Sequence, residues 1–200
     1  MALEPEERHY SVHPSSIMMV LILSGITTLF GALVMAYLYT RADKGMLSVP
    51  VPSLFVFNTA VLAGAGICIH QFNRFYQLRL ERQAIRWGFY TLIATLLFLM
   101  LQGIAWYQLL NIELKPSSSG GYGYLYAISI LHFAHVAAGI PFLLRVLWPI
   151  HTAYQQGYAS ILFIDDHVRR KLRHTMWYWH FIDLVWISMV LLFLINRLVG

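Results

Sequence analysis

The residues able to do chemistry are few, and they fall in two helical patterns. His180 and Asp183 stand three apart in the stretch Trp177-Tyr178-Trp179-His180-Phe181-Ile182-Asp183, a spacing that puts both on one helix face. An imidazole beside a carboxylate can handle a proton, form a docking contact between subunits, or cross-link its helix to a neighbour. Ser129, His132 and His135 follow one another at intervals of three, again on one face. Two histidines so spaced can ligate a metal or, with a partner helix, a haem. A metal site needs a third and usually a fourth ligand. The other histidine deep in an apolar run is His180, His70 lies near the end of one, and no Glu lies within a run to complete a set. The expectation is therefore no metal, no haem and no catalytic residue in this chain. His132 and His135 are expected to hydrogen-bond between helices.

The elements that carry these residues are apolar. Of 200 residues 58% are hydrophobic and 12% are charged, about half the charged share of an ordinary soluble domain. A hydrocarbon layer of about 30 Å needs about 20 apolar residues per helix. Five runs qualify, roughly 17–40, 51–72, 87–110, 122–148 and 177–195. The predicted fold is all-α: one membrane domain over residues 1–200, a bundle of five transmembrane helices. Met1 to Arg8 carry Glu4, Glu6 and Glu7 and lack a basic n-region, so the first run is expected to stay as a spanning helix. A single cysteine, Cys68, rules out an internal disulfide and a cysteine-ligated cluster. Pro141 is expected to bend the fourth span or to interrupt its hydrogen bonding.

The net charge of +5 does not indicate a nucleic-acid partner, because the cations lie in short patches between the runs. Arg8, Arg74, Arg79, Arg82, Arg86, Arg145, Arg169, Arg170, Lys171 and Arg173 fall on one side, and Arg41, Lys44, Lys115 and Arg197 on the other, ten against four. That bias places the N-terminus in the cytoplasm and the C-terminus on the outer side. Reporter fusions after Gly45 and after Ser118 are both expected to read out on the outer side; a cytoplasmic signal from either contradicts the topology. Arg74, Arg79, Arg82 and Arg86 recur near the inner ends of spans two and three and are candidate contacts for anionic lipid head groups, or else plain topology signals. The inner stretch 151–175 reads as the longest loop, able to hold a short interfacial helix or a docking surface.

Small residues mark close helix approaches: Gly31, Ala32 and Ala36 in span one, Ala60, Gly64 and Ala65 in span two, Ala134, Ala138 and Gly139 in span four. Asn58 and Gln102 are single polar residues expected to hydrogen-bond between helices. Trp106, Tyr107, Trp148, Trp177 and Trp179 read as interface anchors.

The stretch Tyr178-Trp179-His180-Phe181-Ile182-Asp183-Leu184-Val185-Trp186 closely resembles the C-terminal helix of cytochrome c oxidase subunit III, which runs Tyr-Trp-His-Phe-Val-Asp-x-Val-Trp. His132-Phe133-Ala134-His135-Val136-Ala137-Ala138-Gly139 resembles the family's His-x-x-His-Val-x-x-Gly. Leu29-Phe30-Gly31-Ala32-Leu33 with Ala36-Tyr37, Asn58-Thr59 and Phe98-Leu99 with Gln102 match more weakly, all in the family's order. The resemblance is to the five-helix bacterial form. It implies an accessory subunit without haem or copper that packs on subunit I, binds phospholipid and supports proton uptake and durability. The complex it implies contains subunits I and II and a small subunit IV, holds haem and copper in those partners, and can join a larger respiratory supercomplex. Ile26 and Ala105 stand where many members carry carboxylates, so a role of those acids is absent or relocated here.

Other readings stay open on the residues alone. A related subunit of a quinol oxidase or of a nitric oxide reductase system would share these motifs. A small transporter would line a path with His132, His135, His180 and Asp183 and would carry a polar stripe on several helices. A free-standing membrane haem enzyme would show its own absorption spectrum.

Overall fold

Runs of apolar residues long enough to cross a bilayer must satisfy their backbone polar groups internally, and the α-helix does so within one segment. The computed structural model describes residues 14–44, 52–111 and 120–199, and among these it contains helices and no strand. The helices are α1 (Pro14–Lys44), α2 (Ser53–Gln77), α3 (Glu81–Asn111), α4 (Gly120–Gln155), a one-turn α5 (Ala159–Leu162) and α6 (Asp166–Val199). Five of the six are long and apolar enough to cross a membrane. Val51, the loop tip at Gly45 and the start of the outer loop at Pro116 lie outside the described residues.

The helices outrun the apolar runs. The shortest long helix, α2, has 25 residues, about 38 Å at 1.5 Å per residue, and α4 has 36. Residues 151–175 are accordingly not a long loop. α4 continues to Gln155, α6 begins at Asp166, and α5 lies between them. That connection closes onto α2: the Tyr76 hydroxyl donates to the Leu162 carbonyl at 2.6 Å, and the Phe163 ring stacks on Tyr76 with centroids 4.7 Å apart. Pro141 and Pro149 both stand inside α4, and the helix continues through them, each proline removing one backbone donor.

α2, α3, α4 and α6 pack into a four-helix bundle: α2 lies against α3 and α6, and α4 against α3 and α6. α1 leans on α4 and α6 from outside. In its most apolar stretch 17% of residues are buried, against 33% in each of the other four spans, so α1 is the peripheral member. Its C-terminal end is tied by Arg41, which donates to the Asn196 side-chain oxygen and, at 3.1 Å, to the Asn196 carbonyl. Near its N-terminal end the α1–α4–α6 junction is incomplete. A cavity of about 220 Å³ remains there, walled by Met18, Met19, Ile22 and Phe142 and reached by Arg145 and Lys171.

The small residues divide by helix. Gly139 of α4 meets the Trp179 and Tyr178 rings, which would stand 3.0–3.1 Å from a Cβ there. Gly31 and Gly64 face open space. The close approach of α2 is made instead by Gly66, where an added Cβ would collide with the Asp183 carboxylate. Glycine spacing cannot tell Gly64 from Gly66; the direction of the α6 partner decides it.

Candidate functional site

The centre of the bundle is polar by design of its sequence: each apolar helix contributes one or two groups that must find partners, because hydrocarbon offers none. Asn58 of α2 donates to the Gln102 side-chain oxygen of α3 at 3.0 Å, the interhelical bond expected of these two residues. The Trp186 indole of α6 donates to the Thr59 hydroxyl at 3.0 Å, and Trp106 of α3 to Ser129 of α4 at 3.1 Å. His132 of α4 is fully buried and donates from Nε2 to the Ile182 carbonyl of α6 at 3.2 Å. Its ring is covered by Trp186 at 4.8 Å and Phe98 at 5.7 Å.

His135 does not join this network. Its Nδ1 turns back to the Leu131 carbonyl of its own helix at 2.7 Å, and its ring faces Phe30 of α1 at 5.6 Å. The expectation of an interhelical imidazole bond holds for His132 and fails for His135, because one helical turn moves His135 off the α6 face toward α1. Its backbone carbonyl still accepts the Tyr178 hydroxyl at 2.7 Å, so α4 and α6 are linked here by main chain.

His180 and Asp183 are neighbours, but they face different media. Asp183 is 8% exposed and lies between α2 and α4. The His180 side chain is 45% exposed and turns outward, with its Nδ1 4.0 Å from Asp183 Oδ2. That distance is an ion-pair contact at its outer limit and too long for a hydrogen bond. Oδ1 of Asp183 has no hydrogen-bond partner among the described residues and adjoins a void of about 10 Å³ lined by Leu62, Val136 and Gly139. Among the described residues, neither His135 nor a basic residue of the stretch 151–175 forms an ion pair with the acid. At 100° per residue the inward face of α6 is Trp179, Ile182, Asp183 and Trp186, while Trp177, His180 and Leu184 point out. Trp179, expected at the interface, is consequently 4% exposed, whereas Tyr107 and Trp148 are 66% and 65% exposed as anchors should be.

Two neighbours of this site were not singled out as parts of it from sequence: Gly66, which receives the carboxylate, and His70, whose ring lies 6.4 Å from that of His180. They stand four apart on α2, so a Gly-x-x-x-His pattern beside a His-x-x-Asp pattern was the available signal. Of the four arginines around the α2–α3 turn, Arg79, Arg82 and Arg86 line one surface hollow, and Arg74 does not.

These features define a multi-pass, all-helical membrane bundle whose inward faces are tied by buried hydrogen bonds. The chain is similar to cytochrome c oxidase subunit 3 of Latimeria chalumnae, 29% identical over 133 residues, which cover 66% of this chain and 46% of that protein. It spans about half the length of that relative. No family model matches the chain.

Proposed function

We propose that this chain is the accessory, non-redox subunit III of a proton-pumping cytochrome c oxidase in a bacterial inner membrane, oriented with its N-terminus in the cytoplasm. Subunit I is the surface it packs on; subunits I and II hold the haem and copper that oxidise the donor and reduce oxygen to water. The observation that carries this reading is the placement of the Tyr178–Trp186 motif. Its inward members Trp179, Asp183 and Trp186 are taken up in packing against α2 and α4, which suits a subunit that stabilises a neighbour. The similarity to an oxidase subunit over two thirds of the chain supports the same complex. Ile26 and Ala105, at 7% and 0% exposure, fill with hydrocarbon the core positions where an acid is absent, leaving Asp183 as the buried acid of the bundle among the described residues.

Asp183→Asn in the native complex tests it. The variant keeps the side chain's size, so the seat against Gly66 stays filled, and removes its charge, so the contact with His180 weakens. A loss of about 1–3 kcal/mol lowers retention of the subunit roughly five- to hundredfold. Oxygen reduction by the remaining subunits persists at low turnover. Subunit content and oxygen consumption are measured on one preparation. A fully assembled complex without activity would place Asp183 in a proton path and overturn the packing role.

A further inference from the structure

We propose that the cavity between α1, α4 and α6 is the docking site of the chain's own residues 1–13, with the Tyr10 ring filling its apolar floor and Glu6 and Glu7 pairing with Arg145 and Lys171 at its edge. The docking needs this chain alone, so its failure leaves the accessory-subunit reading standing. The cavity itself is the first ground. About 220 Å³ is left where α1 meets α4 and α6, although protein interiors otherwise pack with few such voids. Phe142 and Tyr178 line it with their ring centroids 5.5 Å apart, and the thioethers of Met18 and Met19 line the same space. Aromatic edges and methionine sulfur both favour a further ring.

The second ground is charge. Arg145 and Lys171 are exposed where they line the cavity, and neither side chain forms an ion pair among the described residues. Arg145 falls inside the apolar run 122–148, where a cation calls for a partner. On the nearby start of α6, Asp166 is engaged with Arg169 at 3.3 Å. Glu4, Glu6 and Glu7 are three of the chain's nine acidic residues and their largest group, offset within residues 1–13 by Arg8 alone. The third ground is where the chain leaves α1. Ser16 and His174 share a hydrogen bond at 3.1 Å, which fixes the first turn of α1 on α6 three residues past Lys171. Ser15 lines the cavity, so the chain before Pro14 departs from the cavity's edge. At about 3.3 Å per extended residue, Tyr10 reaches about 13 Å from Pro14 and Glu7 about 23 Å. From Ser15 to Ile22 the cavity follows α1 for about 10 Å, within reach of both. Among residues 1–13 Tyr10 is the single Phe, Trp or Tyr, and it is the side chain that suits walls of rings and thioethers. A tethered segment meets its site at a high effective concentration, so one ring and two ion pairs suffice to hold it. Docked there, it completes the junction of α1, the least buried of the five spans.

Trypsin reads the docking through the segment's own Arg8. The full chain is purified in detergent and treated briefly, and release of residues 1–8 is followed by mass spectrometry. Arg145→Gln with Lys171→Gln should speed that cleavage about tenfold, the usual worth of two exposed ion pairs. Arg145→Lys with Lys171→Arg keeps both charges and should preserve the protection. Arg169→Gln with Arg170→Gln removes the same charge from α6 away from the cavity and should leave the rate unchanged. Ile22→Trp fills the cavity from α1 and should speed cleavage while the thermal midpoint holds. Tyr10→Ala, referred to the cleavage of a synthetic peptide of the same residues 1–13, should speed it as well. An unchanged rate in Arg145→Gln/Lys171→Gln, or an equal rise in both glutamine pairs, overturns the docking. Unchanged rates in both Ile22→Trp and Tyr10→Ala overturn the seat of the ring. Protection that disappears on dilution belongs to a second copy, and wild-type cleavage that accelerates on adding phospholipid assigns the cavity to an acyl chain; either result overturns the proposal.

Discussion

A valine at Gly66 is expected to force α2 and α6 apart and to lower the stability of the chain by about 3 kcal/mol, the upper end of what an overpacked core position costs. The first added carbon alone overlaps the Asp183 carboxylate and comes within 3.7 Å of the His180 Nδ1. Asp183 has little room to retreat, since the void beside it is about 10 Å³ and its other walls are Trp179, Ile182 and Val136. The gain in helix propensity over glycine is below about 1 kcal/mol and does not offset the collision. For a chain of 200 residues the thermal midpoint should fall by roughly 6–12 °C. Asp183→Ala in the Gly66→Val background should restore part of the loss, because the clash is with that side chain; the double-mutant cycle measures the coupling. An unchanged midpoint, or a loss that Asp183→Ala does not reduce, contradicts the contact.

Gly66 also shows where the sequence stopped being informative. Five spans were legible because membrane thickness sets a length that no soluble helix needs to repeat five times. The Asn58–Gln102 bond was legible because a lone amide in hydrocarbon must find another polar group. The His180–Asp183 neighbourhood followed from spacing alone. Their orientation did not. In a soluble helix the polar face reveals the outside, but lipid is as apolar as the core, so the pattern that would have sent His180 outward and Trp179 inward is missing. The same loss of contrast hid the turn of His135 toward Phe30 and left Gly64 and Gly66 equivalent on paper. Helix ends were missed for a different reason. Hydropathy falls where the apolar run stops, whereas α4 and α6 continue beyond it, because buried groups near their junction such as Tyr76, Phe163 and Ala153 give them a core to pack on. The arginine group was legible as charge but not as a hollow, since only the left-handed turn at Arg79 gathers three of the four.

Trp186→Ala should have the largest effect of any single truncation in the bundle, about 3–5 kcal/mol. The ring is fully buried and touches three other helices: Phe55 of α2 at 5.5 Å, Phe98 of α3 at 5.2 Å and His132 of α4 at 4.8 Å. In lipid the transfer of apolar surface from water contributes little to helix association, so the cost falls on lost packing and on the cavity left between the four helices. His132 suffers next, because one face of its ring loses its cover while Nε2 remains committed to the Ile182 carbonyl. Trp186→Phe separates the two contributions. It keeps most of the ring contacts and removes the indole donor to Thr59, a loss of about 1 kcal/mol for one hydrogen bond. Thr59 keeps its own bond to the Phe55 carbonyl at 2.9 Å, so no orphaned hydroxyl adds to that figure. Thermal midpoints of the two variants, measured in the same detergent, should therefore differ severalfold in their displacement from wild type. Equal displacements would mean that the indole hydrogen bond, and not the packing of the ring, joins the four helices.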